Sequence, residues 1–439
     1  MGSTASDMPI LHDSGAVTPP PTPTSVCHSK SNSASDLAAA LSGLRRGDSI
    51  SSCERETATL EDLDMAKPGS TEPRTFPYDL TDYEIDSDSN GKKKTLGSGA
   101  WSEVYLARPC LPLAHSTALE NPSAPIPRAA AAAVSTPPVT PVKFLTSSLP
   151  RSGLVRTPPL YAIKHPASRS AKRVLGEESL ILSYLSRFPS SSAFIVPFYG
   201  QDMRTEALVL KAMEGGSLDD WIARELNNVS EAERTQKLAD VFPALATKLL
   251  DGLAWMHAQG CVHADIKPGN ILLEAPTSPD DPVPRVLYTD FSAATLSLPS
   301  STPTTAPTPL GGGTWTFLDP TLLTKPTSSA ALPSPTPSAD LWALAMTLLV
   351  LVTGTSPFAC AAANRFQQRE MIKQGAPLTY VAYGDAGPRS LARIAALGKA
   401  LGGWDVSGWF ARVLVREMGG RVGVEEWKKE VGKGVVSER

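Results

Sequence analysis

Cysteine is scarce and scattered. The chain has five (Cys27, Cys53, Cys110, Cys261, Cys360), and no pair has CxxC spacing. That excludes a zinc ribbon and a disulfide framework and points to a reducing compartment. An excess of either charge is also missing: 41 Lys and Arg stand against 44 Asp and Glu, a net of −3. No polybasic surface therefore argues for nucleic acid as a partner. No charged segment followed by an apolar run opens the chain, so no secretory signal is expected. The longest apolar stretch, Leu341 to Val352, is too short for a transmembrane segment and reads as a buried core helix. Proline, by contrast, is abundant: 40 in 439 residues, about twice ordinary usage. It must lie in loops and tails, because it breaks helices and sheets. Hydrophobic content of 41% still suffices for a real core.

Composition divides the chain. Residues 1–75 are rich in Ser, Thr, Pro and Asp and poor in aromatics, so they read as a disordered tail unable to offset its chain entropy by burial. Similar stretches run from about Cys110 to Pro159, Leu296 to Thr308 and Ser328 to Ser338. Lying between ordered-looking segments, they read as loop insertions. From Lys94 to Met213 short apolar runs dominate: Val104–Ala107, Leu160–Ile163, Phe194–Phe198 and Leu208–Leu210 predict strands. One helix pattern interrupts them, with Val174, Leu175, Leu182 and Leu185 on one face. Beyond Ser217 helical spacing takes over, at Leu238, Phe242, Leu245, Leu249, Leu253 and Met256, then at Leu341–Val352, Leu391–Leu401 and Trp409–Val415. The expected fold class is α+β, with a small strand-rich lobe and a larger helical one.

Several short motifs carry chemistry. Gly97-Ser98-Gly99-Ala100-Trp101-Ser102-Glu103-Val104 follows a strand-like run; its glycines let backbone N–H groups approach phosphates, or else make an ordinary hairpin turn. Lys164 ends the strand Tyr161-Ala162-Ile163-Lys164, where it is either an edge lysine or a phosphate ligand. A buried ammonium needs a counter-charge, and Glu178, on the packing face of the following helix, supplies one; Glu177 is the competing choice. In His263-Ala264-Asp265-Ile266-Lys267-Pro268-Gly269-Asn270, Asp265 can accept a hydroxyl proton, Asn270 can place its carbonyl on a metal, and Lys267 can neutralise a phosphoryl group. His263 reads as a packed residue that orients the loop. Asp290-Phe291-Ser292 follows the apolar run Val286–Tyr288, where a carboxylate is either the start of a turn or a Mg²⁺ ligand.

Taken in order, these pieces match the protein-kinase signature set. The chain resembles a eukaryotic protein kinase of the Ser/Thr type over roughly residues 80–430, and Asp265-Ile266-Lys267-Pro268-Gly269-Asn270 has the DxKPxN form of that type. The resemblance implies a bilobal fold: a kinase domain over 76–435, with an N-lobe over about 80–213 holding a disordered insertion at 110–159. The C-lobe would span 214–435, with an activation segment at 290–321. It implies ATP and Mg²⁺ as cofactors and protein substrates as partners. Leu96, Gly97, Gly99 and Val104 would cover the nucleotide, and Ala162 and Leu272 would sandwich adenine. Leu210 would be the gatekeeper, with Met213 in the hinge. Lys164 would hold the α/β-phosphates and pair with Glu178. Asp265 would be the base, assisted by Lys267, with Asn270 and Asp290 on the metal. Leu182, His263 and Phe291 would stack between the lobes, and Asp340 would start the central helix of the C-lobe.

Departures from the pattern carry their own expectations. Ala264 replaces the arginine that grips a phosphorylated activation loop, so loop phosphorylation is not expected to be the main switch. Ser292 replaces the last glycine of DFG, and Thr321 the glutamate of APE. Arg421 resembles that glutamate's partner; either Asp319 substitutes or the arginine is exposed. Because Lys164, Asp265, Asn270 and Asp290 are all present, the expected activity is ATP-dependent phosphotransfer to Ser/Thr hydroxyls of proteins. A pseudokinase scaffold is the alternative, and a small-molecule phosphotransferase a third reading. Thr18, Thr22, Thr136, Thr140, Thr157, Ser278, Thr302, Ser334 and Thr336 each precede proline. They are either chance products of composition or sites for proline-directed kinases. Gly2 fits a myristoylation pattern, but no second anchor follows it, and membrane attachment is not expected. Lys92-Lys93-Lys94 reads as a solvated strand edge, with a nuclear signal as the other reading. The expected address is cytoplasmic or nuclear.

Overall fold

The structure, a computed structural model, describes residues 59–64, 66–112, 156–274, 283–297, 313–323 and 333–433. Most of the 110–159 insertion, Gly2, Thr18, Thr22, Thr136, Thr140, Ser278 and Thr302 lie outside them.

Among the described residues, six antiparallel strands form the first lobe: β1 (Asp82–Ile85), β2 (Thr95–Ser98), β3 (Ser102–Cys110), β4 (Tyr161–Pro166), β5 (Phe198–Asp202) and β6 (Ala207–Lys211). The sheet runs β1-β3-β4-β6-β5, with β2 also on β3. Helix α1 (Arg169–Ser186) crosses it, capped by Ser168, whose hydroxyl accepts from the Ala171 amide. The register places Val104 opposite Lys164 and Lys164 opposite Leu208, with Ala162 between Leu106 and Leu210. Side chains alternate across a strand. Val104, Ala162, Lys164, Leu208 and Leu210 thus share one face. Tyr161, Ile163 and Val209 share the other and join a separate apolar cluster.

Most expected strands are found, but that at Phe194–Phe198 begins only at Phe198. Pro197 has no N–H to give a ladder. Residues 194–196 instead pair with the backbone of Tyr288 (Val196 N to Tyr288 O 3.0 Å, Tyr288 N to Phe194 O 2.9 Å). β1 and β2 escape sequence reading because their residues are largely exposed or half-buried. The expected tail over 1–75 is corrected at its end. Residues 59–75 contribute the buried Leu60 and Arg74, because this stretch covers the second apolar face of the sheet.

The second lobe is helical around two small hairpins. Its elements are α2 (Leu218–Trp221), α3 (Glu231–Ala258), β7 (Cys261–Val262), β8 (Ile271–Glu274), β9 (Arg285–Tyr288), β10 (Thr295–Leu296) and α4 (Pro337–Thr353). After them come α5 (Arg365–Gln374), α6 (Pro377–Tyr380), α7 (Gly387–Ala400), α8 (Val406–Ala411) and α9 (Val424–Lys429). β7 pairs with β10 and β8 with β9. α3 buries the predicted Leu238, Phe242, Leu245, Leu249, Leu253 and Met256. In α4 every residue from Ala339 to Thr353 is buried, which accounts for its unbroken apolarity. It begins inside the Ser/Thr/Pro-rich stretch read as a loop: Thr336 caps it through a bond from the Ala339 amide (3.2 Å), and Pro337 occupies the first turn. No helix among the described residues is long and apolar enough to cross a membrane.

Candidate active site

β4 delivers Lys164 and α1 delivers Glu178 to one point. Lys164 Nζ lies 2.7 Å from both Glu178 carboxylate oxygens and 2.8 Å from Asp290 Oδ1. Lys164 and Glu178 are buried, while 36% of the Asp290 side chain remains accessible. Burial alone would depress the Lys164 ammonium, but Glu178 and Asp290 hold it above its ordinary value. Burial pushes Glu178 up, against the pull of Lys164. It acts the same way on Asp290, yet Lys164 and the Ser292 hydroxyl hold that carboxyl well below the usual range. One ammonium thus faces two carboxylates, and the cluster is short of positive charge.

Glu178 makes a further contact: its Oε1 accepts the Phe291 amide at 3.1 Å. Phe291 is buried and its ring lies 4.7 Å from that of His263. His263 is buried too, with Nε2 3.0 Å from the Thr289 carbonyl, so it is the packed loop-orienting residue expected. Leu182 belongs to the same apolar cluster. Asp290 itself has φ +62°, a left-handed conformation that strains a non-glycine residue. Ser292 is not among the left-handed residues, so the missing DFG glycine costs no backbone freedom here.

Asp265 is gripped from both sides. Its Oδ1 accepts the Thr314 amide (2.8 Å) and hydroxyl (3.1 Å). Its Oδ2 accepts Lys267 Nζ (2.7 Å) and Asn270 Nδ2 (3.0 Å). Lys267 also donates to Thr314 Oγ1 at 2.8 Å. Asn270 thus turns its amino group to Asp265 and leaves its carbonyl for another partner. The Thr289 amide donates to the Asn270 carbonyl oxygen of the main chain (3.0 Å), which sets Asn270 beside the residue preceding Asp290. The loop is anchored below by Asp340, which accepts the amides of His263 and Ala264, each at 2.8 Å. Ala264 has φ +63°, held by that second bond. Asp340 also lies 3.0 Å from His257 Nε2.

The strand register relates several of the residues expected around a nucleotide to Lys164. Gly97 pairs with Val104, which pairs with Lys164. Leu96 and Gly99 lie in the exposed β2–β3 hairpin, and nothing stands within 4 Å of where a Cβ would be at Gly97 or Gly99. Leu210 is buried opposite Ala162. Beyond β6 the chain returns to β8: the Leu273 amide donates to Gly216 O (2.9 Å) and Ser217 bridges Leu272; Met213 and Leu272 are both half-buried. Glu177 is exposed and paired with Arg173.

Three contributors were not predicted: Thr314, Thr289 and His257. Only Thr314 left a sequence signal, its place beside Gly313. That glycine has φ +103°, and a Cβ on it would meet Leu318 Cδ2 at 2.8 Å, so the turn that presents Thr314 requires glycine. The open question at Arg421 is answered. Its guanidinium pairs with Asp319, both side chains at most 1% exposed, and lies 4.7 Å from the Trp342 ring. Thr321 donates its amide (2.9 Å) and hydroxyl (2.7 Å) to Asp319 Oδ1. Asp319, two residues before Thr321, thus supplies the carboxylate that pairs with Arg421.

Comparison with known proteins gives the class. Residues 156–386 match the protein kinase domain family. The chain is 29% identical over 174 residues to MAP kinase kinase kinase wis4 of Schizosaccharomyces pombe (37% of this chain, 11% of that one). It is 32% identical over 168 residues to 3-phosphoinositide-dependent protein kinase 1 of Arabidopsis thaliana (37% and 29%). It is 31% identical over 144 residues to serine/threonine-protein kinase STK11 of Homo sapiens (32% and 28%). In each case the match spans less than a third of the relative's length. The chain belongs to the protein kinase domain family.

Proposed function

We propose that this protein transfers the γ-phosphoryl group of ATP to serine or threonine hydroxyls of protein substrates. The observation that carries this is the convergence of Lys164, Glu178 and Asp290 beside a loop that holds Asp265, Lys267 and Asn270 in place. The donor set suits a magnesium ion, a hard cation that takes oxygen ligands: the part-exposed Asp290 carboxylate and the free Asn270 carbonyl would hold it. When bound, it would neutralise phosphate charge.

The chain's own groups do the rest. Lys164, kept protonated by two carboxylates, holds the α/β-phosphates. Glu178 fixes that lysine and, through the Phe291 amide, the strand end that carries Asp290. Asp265 takes the proton from the substrate hydroxyl as its oxygen bonds to the γ-phosphorus. The bond to the β–γ bridging oxygen breaks, and ADP leaves. Lys267 offsets charge on the phosphoryl group in flight. The DxKPxN loop and its relatives' type favour serine and threonine over tyrosine.

The test is an assay with Mg-ATP and a generic protein substrate, run beside Asp290→Asn and Lys164→Met. Transfer by the parent alone, with phosphoserine or phosphothreonine as product, supports the reading. Nucleotide binding without transfer would return the scaffold reading, and phosphotyrosine would overturn the residue class.

A further inference from the structure

Residues 59–76 lie before the matched family region and before the first strand. They cross the sheet face opposite Lys164. Leu60 and Phe76, both 2% exposed, join Tyr161, Ile163, Tyr199 and Val209 there. Their backbone extends the sheet at β5, its last strand: the Gln201 amide donates to Arg74 O (2.8 Å) and the Phe76 amide to Gln201 O (2.9 Å). Contact is so close that a Cβ on Gly200 (φ +131°) would lie 2.5 Å from the backbone of Thr75 and Phe76.

The same segment grips α1. The Arg74 amide donates to Ser183 Oγ at 2.8 Å. Arg187, at the C-cap of α1, donates to Asp64 Oδ2 (2.9 Å), Ser70 O (2.8 Å) and Glu72 O (2.7 Å). Its side chain is 4% exposed and that of Asp64 11%. The Arg74 guanidinium donates to Leu60 O and, at 3.0 Å, to Phe198 O, which ties the segment to itself and to β5. Glu178 sits on this same helix. A hydrogen-bonded helix moves as a rigid element, so what holds its C-terminal end also sets where Glu178 stands.

We infer that residues 59–76 are a positioning strap. Through Asp64, the Ser70 and Glu72 carbonyls and Arg74, they hold α1 where Glu178 closes on Lys164, so the competent arrangement is set in cis. Its catalytic consequence rests on the activity proposed above; its structural one does not. The strap also accounts for how the site stays assembled although Ala264 leaves no arginine to draw a phosphorylated loop into place.

The test uses the full chain and two variants. Asp64→Asn keeps the shape and removes one charge; Arg187→Met removes every strap bond that Arg187 donates. Three things are read: amide hydrogen exchange across 59–76, 169–186 and 231–258, affinity for Mg-ATP, and kcat and KM where transfer is found. Arg187→Met should speed exchange in α1 as well as in the strap and weaken Mg-ATP binding roughly tenfold. Asp64→Asn should do the same to a smaller degree, with α3 protection unchanged in both. Faster exchange in the strap with α1 amides and Mg-ATP affinity at parental values would overturn the inference, leaving the segment a mere cover. Absence of transfer by the parent would sink the proposed activity, while exchange and nucleotide affinity would still decide the strap.

Discussion

Two buried ionic clusters hold this molecule's chemistry in place, and they are built differently. In the cleft, Lys164 stands between two carboxylates, one of which reaches solvent. Farther along the chain, Arg421 meets the single carboxylate of Asp319, and neither is accessible. The first cluster has a carboxylate to spare, and that carboxylate, Asp290, is 36% exposed. The second is closed and balanced, with the remaining donors of Arg421 satisfied by Val415 O (2.7 Å) and Arg416 O (3.1 Å). An unbalanced, open cluster is suited to binding, whereas a closed one is suited to holding chain. Position within the motif matters only for the first, where three groups must meet a ligand. An anchor needs only a carboxylate within reach of the arginine, and Asp319 meets that need as well as Thr321's counterpart would.

Substitutions sharpen this contrast. The largest effect is expected in the cleft: Asp290→Asn or Lys164→Met should cut phosphotransfer by roughly a thousandfold or more, read as turnover beside thermal melting, with Asp290→Asn keeping its fold. At the closed cluster the loss should instead be of stability. Asp319→Ala strands a buried guanidinium and should cost about 3–5 kcal/mol in denaturant unfolding. Adding Thr321→Glu to that variant should recover part of it, by restoring a carboxylate at the APE position; no recovery would mean that the position itself cannot reach Arg421.

The pH response should separate the clusters further. Asp290 is depressed in the folded state, so its contribution to stability is full above the unfolded carboxyl value and fades as pH falls through the folded one. Lys164 is raised, so its share is present below the unfolded amine value and is lost only as pH rises beyond the folded one. The Asp290 and Lys164 shares should therefore both be present from about pH 4 to about pH 10, while Glu178, raised by burial, works in the opposite sense on the acid side. The acid-side loss from Asp290 should shrink in Lys164→Met, which removes what depresses it. Acid unfolding of parent and variant, followed side by side, measures this. The smallest effect concerns Ala264. Phosphatase treatment should leave turnover of the parent unchanged; a large loss would show that an activation-loop phosphate finds another cation.

Much of the site was legible because its parts are local. Asp265, Lys267 and Asn270 lie within one short loop, and their spacing reads directly as a proton acceptor flanked by a cation and an amide. Lys164 and Glu178 took one further step, the helix face shared with Leu182. Thr314 was not legible in this way, since its two bonds to Asp265 span a separation that no local pattern encodes. The strand at Phe198 was displaced from its apolar run by Pro197. The order of residues 59–75 was hidden by their polar composition, because the partners that bury them lie in α1 and β5.

By itself, the order of residues determined the class of protein, the type of each lobe and the identity of the groups that face one another in the cleft. Periodicity and motif spacing are properties of neighbouring residues, and they survive without knowledge of the fold. Only the tertiary structure decided that Arg421 is paired and not exposed, that Ser292 needs no glycine's freedom, and that the stretch before the first strand grips the helix carrying Glu178. Those outcomes depend on which distant surfaces meet, and burial makes an unpaired charge or an uncovered apolar face too costly to leave standing.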